Sequence, residues 1–302
     1  MGQDQSSNSK NKFIDESDHK TKADKLIAEA KKLSQPKSNL WSDSNSERKS
    51  AIELFKQGAN FYKLAGLQSN AGYALLEAGK LSLELETANY QTAMMFKDAA
   101  TCLANANSTT AISVYEQAVW IFINGSGTHF KYAAQCIEAM AEIYIRTNQN
   151  SLAIKSYMLA STYYEADGST VDLAKCYYQI MCLSMEEKMY DDAILYAEKY
   201  ADFYNGKQYG SSKVQSVLLS AGLCSLGLAD LVSTNKKIST YLDNYACFAK
   251  SAEYNFLADS IKAYEDSDSD FFLDPKYKLD KYQIAICNRI HNKFKTEEDD
   301  LC

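Results

Sequence analysis

The segment Ala153-Ile154-Lys155-Ser156-Tyr157-Met158-Leu159-Ala160-Ser161-Thr162-Tyr163-Tyr164 decides how the chain is read. Ile154, Tyr157, the pair Ala160 and Ser161, and Tyr164 recur at helical spacing and form one stripe. Small residues within that stripe let neighbouring helices approach closely, and the tyrosine rings fill the space beside them. The same phrase returns along the chain, an Ala with an apolar neighbour followed by aromatic or aliphatic residues. It starts at Ala51-Ile52, Ala71-Gly72, Ala93-Met94, Ala111-Ile112, Ala133-Ala134, Ala153-Ile154, Leu173-Ala174 and Ala193-Ile194. The interval of about 20 residues is one helix plus a short turn, and two of them make a hairpin of the tetratricopeptide class. The expected fold is all-α: a tetratricopeptide-like array of antiparallel helical hairpins, an α-solenoid, capped by a C-terminal helical bundle.

Punctuation supports this division. Gly66, Gly125, Gly168 and Gly206 follow apolar runs, where a left-handed C-cap residue is wanted, and Asn124, Asp167 and Asn205 precede three of them. After Gly210 the phrase loosens, and 212–231, 236–251 and 253–264 read as helices of an end bundle that covers the last apolar face. Asp274-Pro275 is a helix start, an N-cap followed by Pro, for a helix carrying Leu279, Tyr282, Ile286, Ile290 and Phe294 on one face. The expected organisation is a disordered polar tail over 1–21, an array over 22–210, a bundle over 211–296 and a mobile acidic tail over 297–302.

Composition narrows the function classes. Two prolines and twelve glycines in 302 residues are few, which favours long helices, and 46% hydrophobic residues suffice for a core. A net charge of -7 gives no general attraction for nucleic acid. Eight cysteines without a C-x-x-C pair read as reduced, mostly buried residues of a cytoplasmic protein. No stretch of about 18 apolar residues is present that would span a membrane. The start Met1-Gly2-Gln3-Asp4-Gln5-Ser6 fits the N-myristoylation pattern, with Gly2 as the acylated residue.

Catalytic chemistry is poorly supplied. His19, His129 and His291 are isolated from one another, and the nearest nucleophile pairing, Cys136 with His129, places the Cys in an apolar helical stripe where thiols are inert. Gly125-Ser126-Gly127 lacks the Lys-Ser of a phosphate loop and reads as a helix connection. The run Glu265-Asp266-Ser267-Asp268-Ser269-Asp270 lacks the Gly and distal Glu of a Ca²⁺ loop and reads as a solvated acidic loop able to dock a basic partner. No catalytic residue, metal site or cofactor is expected. Between a first helix near 22–33 and a second near 50–64, Leu40-Trp41 sits at the tip of a polar loop. It is either a staple against the second helix or a wedge for a membrane interface.

Several of these phrases, together with the chain's end, are similar to the soluble N-ethylmaleimide-sensitive-factor attachment proteins. The resemblance runs from about Lys22 to Cys302. It includes Ala111-Ile112, Gly127, Phe130, Ala133-Ala134, Ala141-Glu142-Ile143-Tyr144, Ala153-Ile154, Tyr163-Tyr164 and Ala174-Lys175-Cys176. More specific are Leu279-Asp280, Arg289-Ile290 and the acidic run closing on Leu301, which follow the alpha-type pattern.

The resemblance implies an adaptor, not an enzyme, that joins SNARE complexes to their disassembling AAA+ ATPase in vesicle trafficking and membrane fusion. Glu297, Glu298, Asp299, Asp300 and Leu301 would meet the basic ATPase domains, with Glu265 and Asp266 in the same contact and Leu301 stimulating hydrolysis. Lys175 matches a lysine on the concave face that holds the acidic SNARE four-helix bundle. A second family lysine corresponds to Gln135 and a nearby arginine to His129. Leu40 and Trp41 replace a Phe-rich membrane loop, nearer the gamma type. Several copies around one membrane-anchored bundle, cytoplasmic and peripherally membrane-associated, are implied. The alternative from the residues alone is a generic tetratricopeptide-like scaffold that binds a peptide or subunit in its groove.

Overall fold

The computed structural model describes the backbone of residues 4–35, 44–85, 88–273 and 277–299, and the side chains of these except 4–15, 44 and 297–299. Gly2, Leu40, Trp41, Asp300 and Leu301 lie outside the described residues, as does the Asp274-Pro275 start. Among the described residues every regular element is helical.

The chain forms two compact units, 1–148 and 149–302. The first comprises α1 (Asp4–Ser34), α2 (Ser44–Leu64), α3 (Gln68–Glu84), α4 (Tyr90–Leu103), α5 (Ser108–Asn124) and α6 (Phe130–Arg146), each packed against the next. The second comprises α7 (Asn150–Asp167), α8 (Thr170–Glu186), α9 (Tyr190–Tyr204), α10 (Ser211–Gly227), α11 (Leu231–Asn244), α12 (Ala252–Glu265), α13 (Asp270–Leu273) and α14 (Lys281–Asp299).

The recurring Ala explains the stacking. Ala51, Ala71, Ala93, Ala111, Ala133, Ala153, Ala174 and Ala193 fall one to a helix from α2 to α9, and none is more than 1% exposed. A methyl group at each crossing lets helices touch, and larger side chains interlock around it. In α7 the stripe Ile154, Tyr157, Ala160, Ser161 and Tyr164 is buried, as its spacing predicts. In α10 the run from Val217 to Leu226 is buried on all sides, as suits a helix enclosed by neighbours. It packs against α9, α11, α12 and α14.

The structure differs from the sequence reading in several places. The segment 1–21, expected as a disordered tail, is helical from Asp4 onward as part of α1. Helix propagation needs only one main-chain bond per added residue once a turn has formed, and α1 is anchored where Ala23 and Ala30 are buried in its packing with α2. The boundary expected at residue 210 falls inside the second unit, because α10 packs as closely on α9 as earlier helices do on their neighbours.

The last helix begins at Lys281. Asp280 Oδ1 accepts from the N–H groups of Tyr282 (2.8 Å) and Gln283 (2.9 Å), and Gln283 Oε1 accepts from the Asp280 N–H (3.0 Å). This reciprocal capping box supplies a stronger start than a proline alone. The helix also continues through Asp299, so Glu297, Glu298 and Asp299, expected in a mobile tail, belong to its last turn.

Gly66, Gly168 and Gly206 are left-handed (φ 71°, 76° and 71°), but Gly125 is extended, with φ −77° and ψ −162°. Its lack of a side chain serves close approach instead. A Cβ there would lie 2.6 Å from the Ala88 carbonyl oxygen, which accepts from the Ser126 N–H at 3.0 Å.

Candidate functional site

The residues singled out from the sequence fall in three places: the α12–α14 end of the second unit, the start and surface of α6 in the first unit, and Lys175 on α8 of the second. At the first, α12 ends at Glu265 and the chain turns through Ser267 in the left-handed region (φ 55°). The Asp268 N–H closes the helix on the Ala263 carbonyl (2.8 Å), and Asp268 Oδ1 accepts from the Phe271 N–H (3.3 Å). Glu265, Asp266, Asp268 and Asp270 are all exposed.

Helix α14 holds this turn from behind. His291, 4% exposed, places Nδ1 2.8 Å from the Ser269 carbonyl oxygen. One turn on, the Phe294 ring lies 4.9 Å from Tyr264 and 6.4 Å from Phe272, the aromatic residues on either side of the loop. Glu297 follows Phe294 by three residues on the same helix. The loop carboxylates and the final turn of α14 therefore belong to one end of the unit.

The placement of α14 depends on Arg289 and Gln283. Arg289 Nη1 donates to the Met185 carbonyl (2.7 Å) and Nη2 to the Glu186 carbonyl (2.9 Å), satisfying the last turn of α8 with a positive charge at the negative end of its dipole. Gln283 Nε2 donates to Ser220 Oγ (3.0 Å) on α10. Thus Asp280 and Arg289, part of the terminal motif, act on the architecture of this end.

In the first unit, α2 and α4 contribute to a groove of about 650 Å³ lined by Lys49, Lys56 and Lys63 together with Ile52, Met94 and Met95. Gln135, on α6, accepts a hydrogen bond from Lys97 Nζ at 2.6 Å, and that ammonium lies 5.3 Å from the centre of the Tyr132 ring. His129 is enclosed by Tyr90, Phe122 and Tyr132, with ring centres 5.1, 6.3 and 6.4 Å away. In the second unit, Lys175 on α8 is exposed and pairs with Asp172 at 2.8 Å.

The buried thiols are unsuited to nucleophilic work. Burial pushes Cys136, Cys182 and Cys287 each up to about 12, so they stay protonated at neutral pH. Among the described residues no group of His, Cys, Asp and Glu could hold a metal ion, and no helix is long and apolar enough to cross a membrane.

Lys97, Gln283, His291 and Phe294 were not recognised as site-building residues from the sequence. His291 reaches across 22 positions and Arg289 across 104, so no local spacing marks their partners.

Serial helical hairpins, with an exposed acidic loop after α12, define a helical-repeat protein of the α-solenoid class. The family model described as "Soluble NSF attachment protein, SNAP" matches residues 21–295, and the chain belongs to that family. It is 28% identical over 296 residues to the alpha-soluble NSF attachment protein of Saccharomyces cerevisiae, covering 91% of this chain and 98% of that one. It is 26% identical over 269 residues to a probable vesicular-fusion protein sec17 homolog of Neurospora crassa, covering 87% and 91%. With the human alpha-soluble NSF attachment protein the identity is 25% over 307 residues, covering 95% and 100%. Among solved structures, BtubC of P. vanneervenii is similar at a TM-score of 0.44 and 14% identity, over 88% of this chain and 96% of that one.

Proposed function

We propose that this chain is a vesicular-fusion adaptor that binds SNARE complexes and recruits and stimulates the AAA+ N-ethylmaleimide-sensitive factor. Membership of the SNAP family over 21–295 is the observation that carries this reading. The chain performs no chemistry; it grips one partner and presents charge to another. Several copies surround a membrane-anchored four-helix bundle, so that many weak contacts act together.

Each surface has its part in this reading. Lys175 of the second unit contacts the acidic SNARE bundle, and Lys97 of the first unit, beside Gln135, supplies a separate positive charge for it. Glu265, Asp266, Glu297, Glu298, Asp299, Asp300 and Leu301 meet the basic N-terminal domains of the ATPase, with Leu301 required for stimulation. Leu40 and Trp41 touch the membrane, and acylation of Gly2 would strengthen that contact, keeping the protein cytoplasmic and peripherally attached.

The test is co-precipitation of assembled SNARE complex and ATPase by the full chain. Capture of both is expected, and failure to bind either overturns the reading. Truncation of Leu301-Cys302 separates the two roles: SNARE capture is expected to persist while ATPase stimulation falls. Unchanged stimulation removes Leu301 from its assigned role, and a chain that binds only a linear peptide in its groove is a generic scaffold.

A further inference from the structure

The acidic loop Glu265–Asp270 is built unlike a free surface turn. Its charged residues are exposed, yet it is tied to each of α12, α13 and α14, through its main chain and through the Asp268 carboxylate. On the α12 side the Asp268 N–H closes on Ala263, and on the α13 side Asp268 caps Phe271. The third tie comes from 22 residues away, where the buried imidazole of His291 meets the Ser269 carbonyl oxygen. A carbonyl offers no proton, so Nδ1 is the donor and carries the hydrogen.

Phe294 bears on the same loop from the next turn, its ring between Tyr264 and Phe272. A loop whose only task was to connect α12 to α13 would not require a long-range polar contact from a histidine with 4% exposure. Burying an imidazole is unfavourable unless its polar atoms are satisfied, and here the satisfaction goes to the main chain between two carboxylate-bearing residues.

We infer that His291 and Phe294 are positioning residues for the partner contact. They lock the Glu265–Asp270 loop to the helix that ends in Glu297–Asp299, so that loop and helix end meet a basic protein surface as one rigid acidic body. This rests on the ATPase-binding reading above and adds which residues make that surface effective. The physical gain is pre-organisation: carboxylates held in place before encounter lose less conformational freedom on binding than carboxylates on a loose loop. Neither residue touches the partner; each acts through the loop it holds.

The test uses the full chain in two measurements. The first is amide hydrogen exchange over residues 265–271 with no partner present. His291→Leu, which fills the space but cannot donate, is expected to speed exchange there, and Phe294→Leu to do so more weakly. His291→Asn, whose amide nitrogen is bonded to Cγ as Nδ1 is, should return exchange to the wild-type pattern. The second is affinity for the AAA+ ATPase, expected to fall on the order of tenfold in His291→Leu and to recover in His291→Asn.

A double-mutant cycle decides between positioning and general destabilisation. Glu265→Gln with Asp266→Asn is expected to weaken ATPase binding strongly in the wild-type background and much less beside His291→Leu, because a loosened loop has already lost much of what those charges contribute. Full additivity, or wild-type affinity in a folded His291→Leu chain, overturns the inference. Unchanged loop exchange in His291→Leu overturns it without reference to any partner. If the wild-type chain fails to bind the ATPase, the proposed function fails and takes the partner half of this inference with it, while the exchange result still judges the lock itself.

Discussion

Lys97 Nζ donates to Gln135 Oε1 at 2.6 Å, carrying a positive charge from α4 to the surface of α6. Where the family resemblance leads one to expect a lysine at 135, this chain has a neutral amide with an ammonium resting on it. Charge at this place comes from a neighbouring helix.

Lys97→Met is expected to weaken capture of assembled SNARE complex several-fold, about 1 kcal/mol for a partly exposed charge. Gln135→Lys in the Lys97→Met background should restore most of the loss, because it returns an ammonium to nearly the same point. Co-precipitation at low and physiological salt reads both, and the wild-type advantage should shrink as salt rises. Equal capture by wild type and Lys97→Met would exclude Lys97 from the contact.

Arg289→Met removes the donor to two carbonyls that end α8 and should lower stability by about 1.5–3 kcal/mol, the range for hydrogen bonds to a charged group. Arg289→Lys should recover only part, since an ammonium lacks the two-pronged geometry of the guanidinium. Denaturant midpoints of the three proteins provide the measurement. A midpoint within error of wild type for Arg289→Met would show that solvent replaces the guanidinium at the α8 terminus.

Gly125→Ala tests close approach without any left-handed requirement. The added methyl would stand 2.6 Å from the carbonyl oxygens of Ala88 and Ile121, so main chain must shift, at a cost of about 1–3 kcal/mol. Gly168→Ala probes the other use of glycine: it meets nothing within 4 Å but has a φ of 76°, and should cost about 1 kcal/mol from backbone conformation. Thermal unfolding of both variants compares the two effects.

Alkaline pH should unfold the protein through its buried thiols and phenols. Burial raises Cys136, Cys182 and Cys287 to about 12, from 9.0 for an exposed thiol. Burial, aided by Asp24, raises Tyr62 to about 12, and burial, aided by Tyr204, raises Tyr200 to about 12, from 10.0. Above pH 9 the unfolded chain loses these protons before the folded chain does, so ionisation favours unfolding. The contribution is thus complete below pH 9 and lost progressively between pH 9 and about 12. Melting temperatures should be flat from pH 7 to 8.5 in this respect and fall above 9. Native-state alkylation at pH 7.5 should leave Cys136, Cys182 and Cys287 unmodified and react faster at the part-exposed Cys247.

The repeat was legible because its signal is local. Ala51, Ala71 and their counterparts sit at one helix-plus-turn intervals, and burial at 0–1% follows from the face they share. The helix stop at Gly168 was equally plain, since a run of apolar residues followed by Asp-Gly calls for a left-handed cap. Gly125 was misread on the same pattern, because its true constraint is the Ala88 carbonyl from a turn 37 positions earlier. The α14 start was misread because Asp274-Pro275 satisfies a local rule while the Asp280–Gln283 box satisfies the rule and also binds Ser220.

For the candidate site, the sequence supplied the acidic residues and left open what holds them. Acidity, apolar periodicity and the terminal motif are properties of neighbouring residues, and they determined the helical class, the hairpin repeat and the family likeness. Which carbonyl Arg289 caps, which loop His291 fastens and which amide Lys97 rests on were decided only by tertiary structure. Each depends on helices brought together by burial of their small-residue faces, and that packing brings residues far apart in the chain to hydrogen-bonding distance.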